Sequence, residues 1–268
     1  MSTDLIDAGQ AARASARIRI VLVGTQHPGN IGSAARALKT MGLSQLVLVA
    51  PQRFPHADAE ALAAGAADVL AGASLHANLA DAVADCRLVL GCTARSRRVA
   101  LPEQSPRDAA AAAVQAAAGG AEVALVFGRE RTGLENDELQ LCHGAVHIPA
   151  NPDYSSLNLA AAVQVLAYEL RLALLQDGAG EAGPTPVDAN HGQAAAHAQL
   201  EGLFAQLADT LEAIDFHKGR APESALRKLR RLFLRSGLDA QEVRLLRGVL
   251  ADAQRMARLA SERTPPLS

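Results

Sequence analysis

IRIVLVGTQHPGNIGSAARALKTMGLSQLVLVAP, residues 18 to 51, decides the fold. Ile18 to Gly24 is a short apolar run of strand length, and a turn rich in Gly and Pro follows it, with Gly29 and Gly32. SAARALKTMG then carries Ala34, Leu38 and Met41 on one side at helical spacing, and Gly42 fits the stop after a helix. LSQLVLVAP returns as a second strand. Strand, helix, strand is a βαβ unit, whose strands run parallel. RLVLGCTAR, AEVALVFGRE and GAVHIPA read as further buried strands, separated by Ala-rich helical stretches. The expected fold class is α/β with a mainly parallel sheet.

Ser155 to Leu175 reads as one long helix, with Leu159, Val163, Leu166, Leu170 and Leu174 recurring at helical intervals and Ser155 or Ser156 able to cap its start. QDGAGEAGPTPVDANHGQ loses that periodicity and gathers Gly, Pro and Asp. The expected organisation is a disordered extension over 1–16, the α/β domain over 17–176, a flexible linker over 177–196 and a small all-helical domain of three amphipathic helices over 197–268.

The chain has 268 residues, 49% hydrophobic and 20% charged, with 3% aromatic and no Trp, so the core must be built from Ala, Leu and Val. The N-terminus carries no apolar run of signal-peptide length and no eighteen apolar residues run without polar interruption, which predicts a cytoplasmic protein that does not enter a membrane. Cys86, Cys92 and Cys142 lack CxxC spacing and suit reduced thiols. Cys142, His143 and His147 fall in the strand-like CHGAVHIP, where residues four apart do not converge as on a helix, so no metal site is expected. The net charge of −2 hides an asymmetry. Residues 217–263 hold twelve Lys or Arg against five Asp or Glu, about +7, leaving about −9 elsewhere. A segment so basic on an acidic chain fits a polyanion-binding surface, although a solvated helix face has the same composition.

Three stretches carry candidate chemistry. The turn around Gly29, Asn30 and Gly32 opens a helix whose backbone N–H groups can hold a polar ligand, though any βα connection needs such a turn, and it is not a GxGxxG dinucleotide fingerprint. Arg36 and Lys39 share one side of that helix. LVFGRERTGL runs a buried strand into Gly128, Arg129, Glu130, Arg131 and Gly133, at the strand end where open α/β sheets place ligands. IPANPDYSSLNLA gathers Asn151, Ser155, Ser156 and Asn158 at a helix start, where each could be only a cap. Their common location at strand ends and helix starts points to one composite site.

Together these stretches resemble the three motifs of the SPOUT superfamily of ribose methyltransferases: Asn30-x-Gly32 with Arg36, Gly128-x-Glu130-x-x-Gly133, and Ser156-Leu157-Asn158. PGNIGSAARALKTMG, GCTARSR, LVFGRERTGL, NPDYSSLNLA and the tail segments KLRRLF and LLRGVLA are similar to the TrmJ-type tRNA (cytidine/uridine-2′-O)-methyltransferases. The resemblance implies a trefoil-knotted sheet and a homodimer with its active site at the subunit interface. It also implies S-adenosyl-L-methionine as cofactor and the ribose of nucleotide 32 in the tRNA anticodon loop as target. It places the cofactor against Cys92, Thr93, Ala94, Gly128, Ile148, Ser155, Ser156 and Leu157, and gives Arg36 the catalytic role, aided by Asn30, Glu130 and Asn158.

A guanidinium stays protonated up to about pH 12, so Arg36 suits clamping a phosphate and orienting the hydroxyl better than general-base work. The base can then be the phosphate, a water or a transiently deprotonated Arg36. His27 is a rival base, with an ordinary pKa near 6.5, but its place before Pro28 equally suits a loop surface. Competing readings are a noncatalytic RNA-binding module on the same fold, action on another tRNA or rRNA nucleotide, and a nucleotide-dependent oxidoreductase. The missing GxGxxG counts against the last.

Overall fold

The structure, a computed structural model, describes residues 2–94, 101–177, 194–219 and 221–263. The chain divides into two compact units, Met1–Pro186 and Val187–Ser268. Most of the expected linker, 178–193, lies outside the described residues.

The first unit is built on seven strands: β1 (Ile18–Val23), β2 (Gln45–Val49), β3 (Ser74–His76), β4 (Cys86–Cys92), β5 (Glu103–Gln104), β6 (Glu122–Phe127) and β7 (Gly144–Val146). Every pairing among these named strands is parallel, in the order β3-β2-β1-β6-β4-β7-β5. Its helices are α1 (Ser2–Ser15), α2 (Pro28–Thr40), α3 (Ala57–Ala63), α4 (Ala67–Ala71), α5 (Leu79–Ala82), α6 (Pro106–Ala118), α7 (Asn136–Gln140) and α8 (Leu159–Asp177). The apolar runs of the central strands are continuous because both faces are covered. Ile18, Ile20, Leu22, Leu125 and Phe127 enter one core with residues of α2, α6 and α8. Val21, Val23, Val47 and Val126 enter a second core on the opposite face with Leu79, Val83 and Cys142. One charged residue interrupts β1: Arg19 donates to both carboxylate oxygens of Asp85, each at 2.8 Å, and to Glu122 at 3.1 Å.

Three boundaries differ from the sequence expectation. Residues 1–16 are not disordered throughout: α1 occupies Ser2–Ser15, and its end packs on α6 and α8 with Ala14 buried in the core. Helix α2 begins at Pro28, so Gly29, Asn30 and Gly32 stand inside its first turns rather than before them. Pro is favoured there because a first-turn N–H has no intrahelical acceptor to lose. Helix α8 begins at Leu159, not Ser155, because the Asn158 side chain accepts from the N–H groups of Ala160 (2.9 Å) and Ala161 (3.3 Å) and ends the loop. The segment Leu159–Gln176 is long and apolar enough to cross a membrane by length and composition, yet Val163, Leu166, Leu170 and Leu174 on one face of it are core residues.

The second unit holds α9 (His197–Ala213), α10 (Glu223–Ser236) and α11 (Ala240–Arg263), the three helices expected. Leu200, Leu203, Phe204 and Val243 form its small core. Arg230 lies 4.5 Å over the Phe204 ring and forms an ion pair with Glu201, tying α10 to α9. Asp239 caps α11 by accepting from Gln241 and Glu242 N–H at 2.7 and 2.8 Å.

Candidate active site

The ends of β4, β6 and β7 open into a cavity of about 640 Å³. It is walled by Cys92 at the end of β4 with Thr93 and Ala94 after it, the stretch from Gly128 to Asp137 that runs from the end of β6 into α7, Ile148 after β7, and Ser155, Ser156 and Leu157 before α8. All eight residues that the resemblance assigns to the cofactor therefore line one cavity. Leu134 and Glu135 of the loop and Asn136 and Asp137 at the start of α7 line it too, and sequence reasoning missed them because nothing in their types marks a binding wall.

The loop after β6 is tight. Arg129 and Gly133 exchange backbone hydrogen bonds of 3.1 and 2.9 Å, and a Cβ on Gly128 would overlap the backbone of Gly133 and Leu134. Only glycine fits at 128. The next two side chains leave in different directions. Arg129 lies against Gly24 and donates to both Glu138 oxygens at 3.0 Å, which holds α7 to the loop. Glu130 turns to the start of α2, where its carboxylate accepts from Gln26 N–H (3.0 Å), His27 N–H (3.1 Å) and the Asn30 amide (2.9 Å). Burial pushes the Glu130 carboxyl up, but the donors at Asn30, Gln26 and His27 outweigh it and hold it below the usual glutamate range. Asn30 in turn accepts from the Asn158 amide at 3.1 Å. Asn30, Glu130 and Asn158, drawn from the three stretches, thus form one chain of hydrogen bonds.

Arg36 does not join that chain. It is exposed on α2, and its side chain makes no hydrogen bond or ion pair with the described residues. Lys39, its neighbour on the same side, is engaged by Asp68 at 2.7 Å and by the Gly65 carbonyl. His27 is exposed at the N-cap of α2 and makes no side-chain cap bond. Burial pushes the Cys92 thiol up, so it faces the cavity as a neutral group. The CHGAVHIP side chains diverge: Cys142 is buried in the second core, His143 Nδ1 accepts from Val89 N–H at 3.0 Å, and His147 Nδ1 meets the Thr93 carbonyl at 3.2 Å. No group of three or more His, Cys, Asp or Glu suited to a metal occurs among the described residues.

The model of the SpoU rRNA Methylase family matches residues 17–168, and that of the TrmJ C-terminal domain matches residues 198–262. The chain is 47% identical to the Pseudomonas aeruginosa tRNA (cytidine/uridine/adenosine-2′-O-)-methyltransferase TrmJ, over 90% of this chain and 95% of the relative. It is 50% identical to the Sodalis glossinidius tRNA (cytidine/uridine-2′-O-)-methyltransferase TrmJ, over 88% and 91%. Among solved structures, TrmJ from Z. mobilis ZM4 superposes with a TM-score of 0.74 at 34% identity, covering 87% of this chain and 97% of that one. With both units matched and near-half identity running along most of its length, the chain belongs to the SpoU methylase family and, within it, to the TrmJ group.

Proposed function

We propose that this protein is a cytoplasmic tRNA 2′-O-methyltransferase that uses S-adenosyl-L-methionine to methylate the ribose of cytidine or uridine at position 32 of the anticodon loop. The observation that carries the reading is the hydrogen-bonded chain Asn158–Asn30–Glu130 beside a cavity that gathers the eight residues assigned to the cofactor. The Pseudomonas and Sodalis relatives carry tRNA 2′-O-methylation of cytidine and uridine in their names, and the adenosine in the former fits a site that reads the ribose more than the base.

The cavity suits the cofactor in size, since small-molecule sites run from about 300 to 1,000 Å³. Apolar Ile148, Leu134 and Leu157 suit an adenine, and Gly128 lets the backbone of Gly133 and Leu134 pack close behind that wall. When bound, the cofactor supplies an electrophilic methyl on a sulfonium. The protein's task is alignment, because a 2′-hydroxyl is a weak nucleophile. Glu130 and Asn30 fix the first turn of α2, and Arg36 on that helix clamps the neighbouring phosphate and orients the hydroxyl. The proton leaves to that phosphate, to water or to a transiently deprotonated Arg36. No metal takes part.

Assembly as a homodimer completes this picture. Helix α8 exposes Ala161, Tyr168 and Leu175 at spacings of seven, with Tyr168 49% and Leu175 54% exposed, and Leu172 is half-buried beside them. A stripe of that kind fits a second helix better than water, and a site shared between two subunits would give Arg36, which has no partner among the described residues, a substrate to hold. The trefoil threading implied by the resemblance belongs to the same proposal.

Nucleoside mass spectrometry with position mapping, on tRNA from cells with and without the gene, tests the reading. Loss of 2′-O-methylation at nucleotide 32 alone is expected, and transfer by the purified dimer persists with a chelator present. Methylation unchanged in the deleted strain would overturn it, and tRNA binding without turnover would replace it with a noncatalytic RNA-binding role.

A further inference from the structure

His147 belongs to none of the three motif stretches, yet it ties together three strand ends beside the cavity. Its backbone N–H donates to the Gln104 carbonyl of β5 at 3.0 Å, and its ring Nδ1 lies 3.2 Å from the Thr93 carbonyl just past β4. A carbonyl oxygen only accepts, so Nδ1 carries the proton. His143, four residues earlier, is held oppositely: its Nδ1 accepts from Val89 N–H. Two histidines flanking β7 therefore have different ring roles, each set by a backbone partner.

The consequence falls on Thr93. Its N–H donates to the Val146 carbonyl at 3.0 Å and its carbonyl takes the His147 ring, so β7 and its next residue grip both backbone groups of a residue in the cavity wall. The wall before and after that peptide, Cys92 and Ala94, and the residue following the histidine, Ile148, all face the cavity. We infer that His147 is a positioning residue for the cofactor cavity, acting through the Thr93 carbonyl to fix the Thr93–Ala94 peptide against β7. This rests on the cavity being the cofactor site.

The test compares His147→Ala with His147→Asn, whose amide nitrogen can stand where Nδ1 does. Calorimetry with S-adenosylhomocysteine should give an affinity about five- to tenfold weaker in the Ala variant, the worth of one hydrogen bond, and near the starting value in Asn. At saturating cofactor kcat should change little, so the loss appears in KM. Hydrogen exchange over residues 88–94, measured without ligand, should speed up in Ala and return toward its original rate in Asn. Wild-type affinity and exchange in His147→Ala would overturn the inference, and so would an Asn variant as impaired as Ala, since ring volume would then be what matters. If the unmutated protein binds no S-adenosylhomocysteine while the exchange pattern holds, the clamp stands and the cofactor assignment falls.

Discussion

Glu130 joins two elements by accepting from the start of α2, and the physics of that bond sets a pH signature. Its carboxyl is held below the glutamate range by Asn30, Gln26 and His27 against the opposing effect of burial. A depressed folded-state pKa contributes stability that is complete above the unfolded value, about 4.3, and is lost as pH falls through the lower folded value. Glu130→Gln should therefore cost about 1–2 kcal/mol at neutral pH. Urea denaturation should find that difference shrinking in acid, and a gap constant with pH would contradict this account. Arg36→Lys tests the clamp: the planar fork is lost and the charge kept, so methyl transfer should fall about a hundredfold with S-adenosylmethionine affinity unchanged. Full turnover in that variant would remove Arg36 from its role. Arg36, Glu130 and Asn158 stood out as polar groups at strand ends and on helix starts, but each also had a structural reading as a cap or a solvated face, and their catalytic roles came only through the resemblance. Thr93, Ala94 and Ile148 were legible only through resemblance, because they line the cavity with no distinctive side-chain chemistry.

Between elements, the tightest constraint is the crossing of α2 and α3. A Cβ on Gly32 would overlap the Ala59 carbonyl of α3, so the glycine seen in sequence as a turn residue is a packing residue. Gly32→Ala should destabilise by about 1–3 kcal/mol through overpacking, despite alanine's better helix propensity. Thermal denaturation showing a gain in stability would place the two helices further apart than described. The strands were readable because burial on both faces leaves unbroken apolar runs, and Gly42, with φ of 75°, ends α2 as its sequence position suggested. The start of α8 was not. SSLNL continues the helical spacing of apolar residues, and only the geometry of the Asn158 side chain decides where the helix begins. Helix α1 escaped notice because few of its residues signal burial, and among those whose burial is described, residues 9–15, Ala14 alone is buried.

Across the whole molecule, charge is divided more sharply than the net −2 suggests. In α10, Arg227, Lys228 and Arg235 are exposed, whereas Arg230 is spent on Glu201 and Phe204. If about five phosphates are neutralised, the log of the tRNA binding constant should fall with log salt at a slope of about −4. Replacing Arg227, Lys228 and Arg235 with Gln should flatten that slope by about 2 to 3. An unchanged slope would make this ridge a solvated face. The strand order has a further consequence, in time rather than space. Strand β6 sits between β1 and β4, and β7 between β4 and β5, so pairings across the sheet wait for segments made after their neighbours. Such distant pairings make folding slow. The cavity, walled by residues from 92 to 162, exists only once those insertions are complete. If the cavity closes after the folding transition state, a ligand bound there should lengthen the lifetime of the native protein while leaving the rate at which it folds untouched, which unfolding and refolding rates with and without S-adenosylhomocysteine would check.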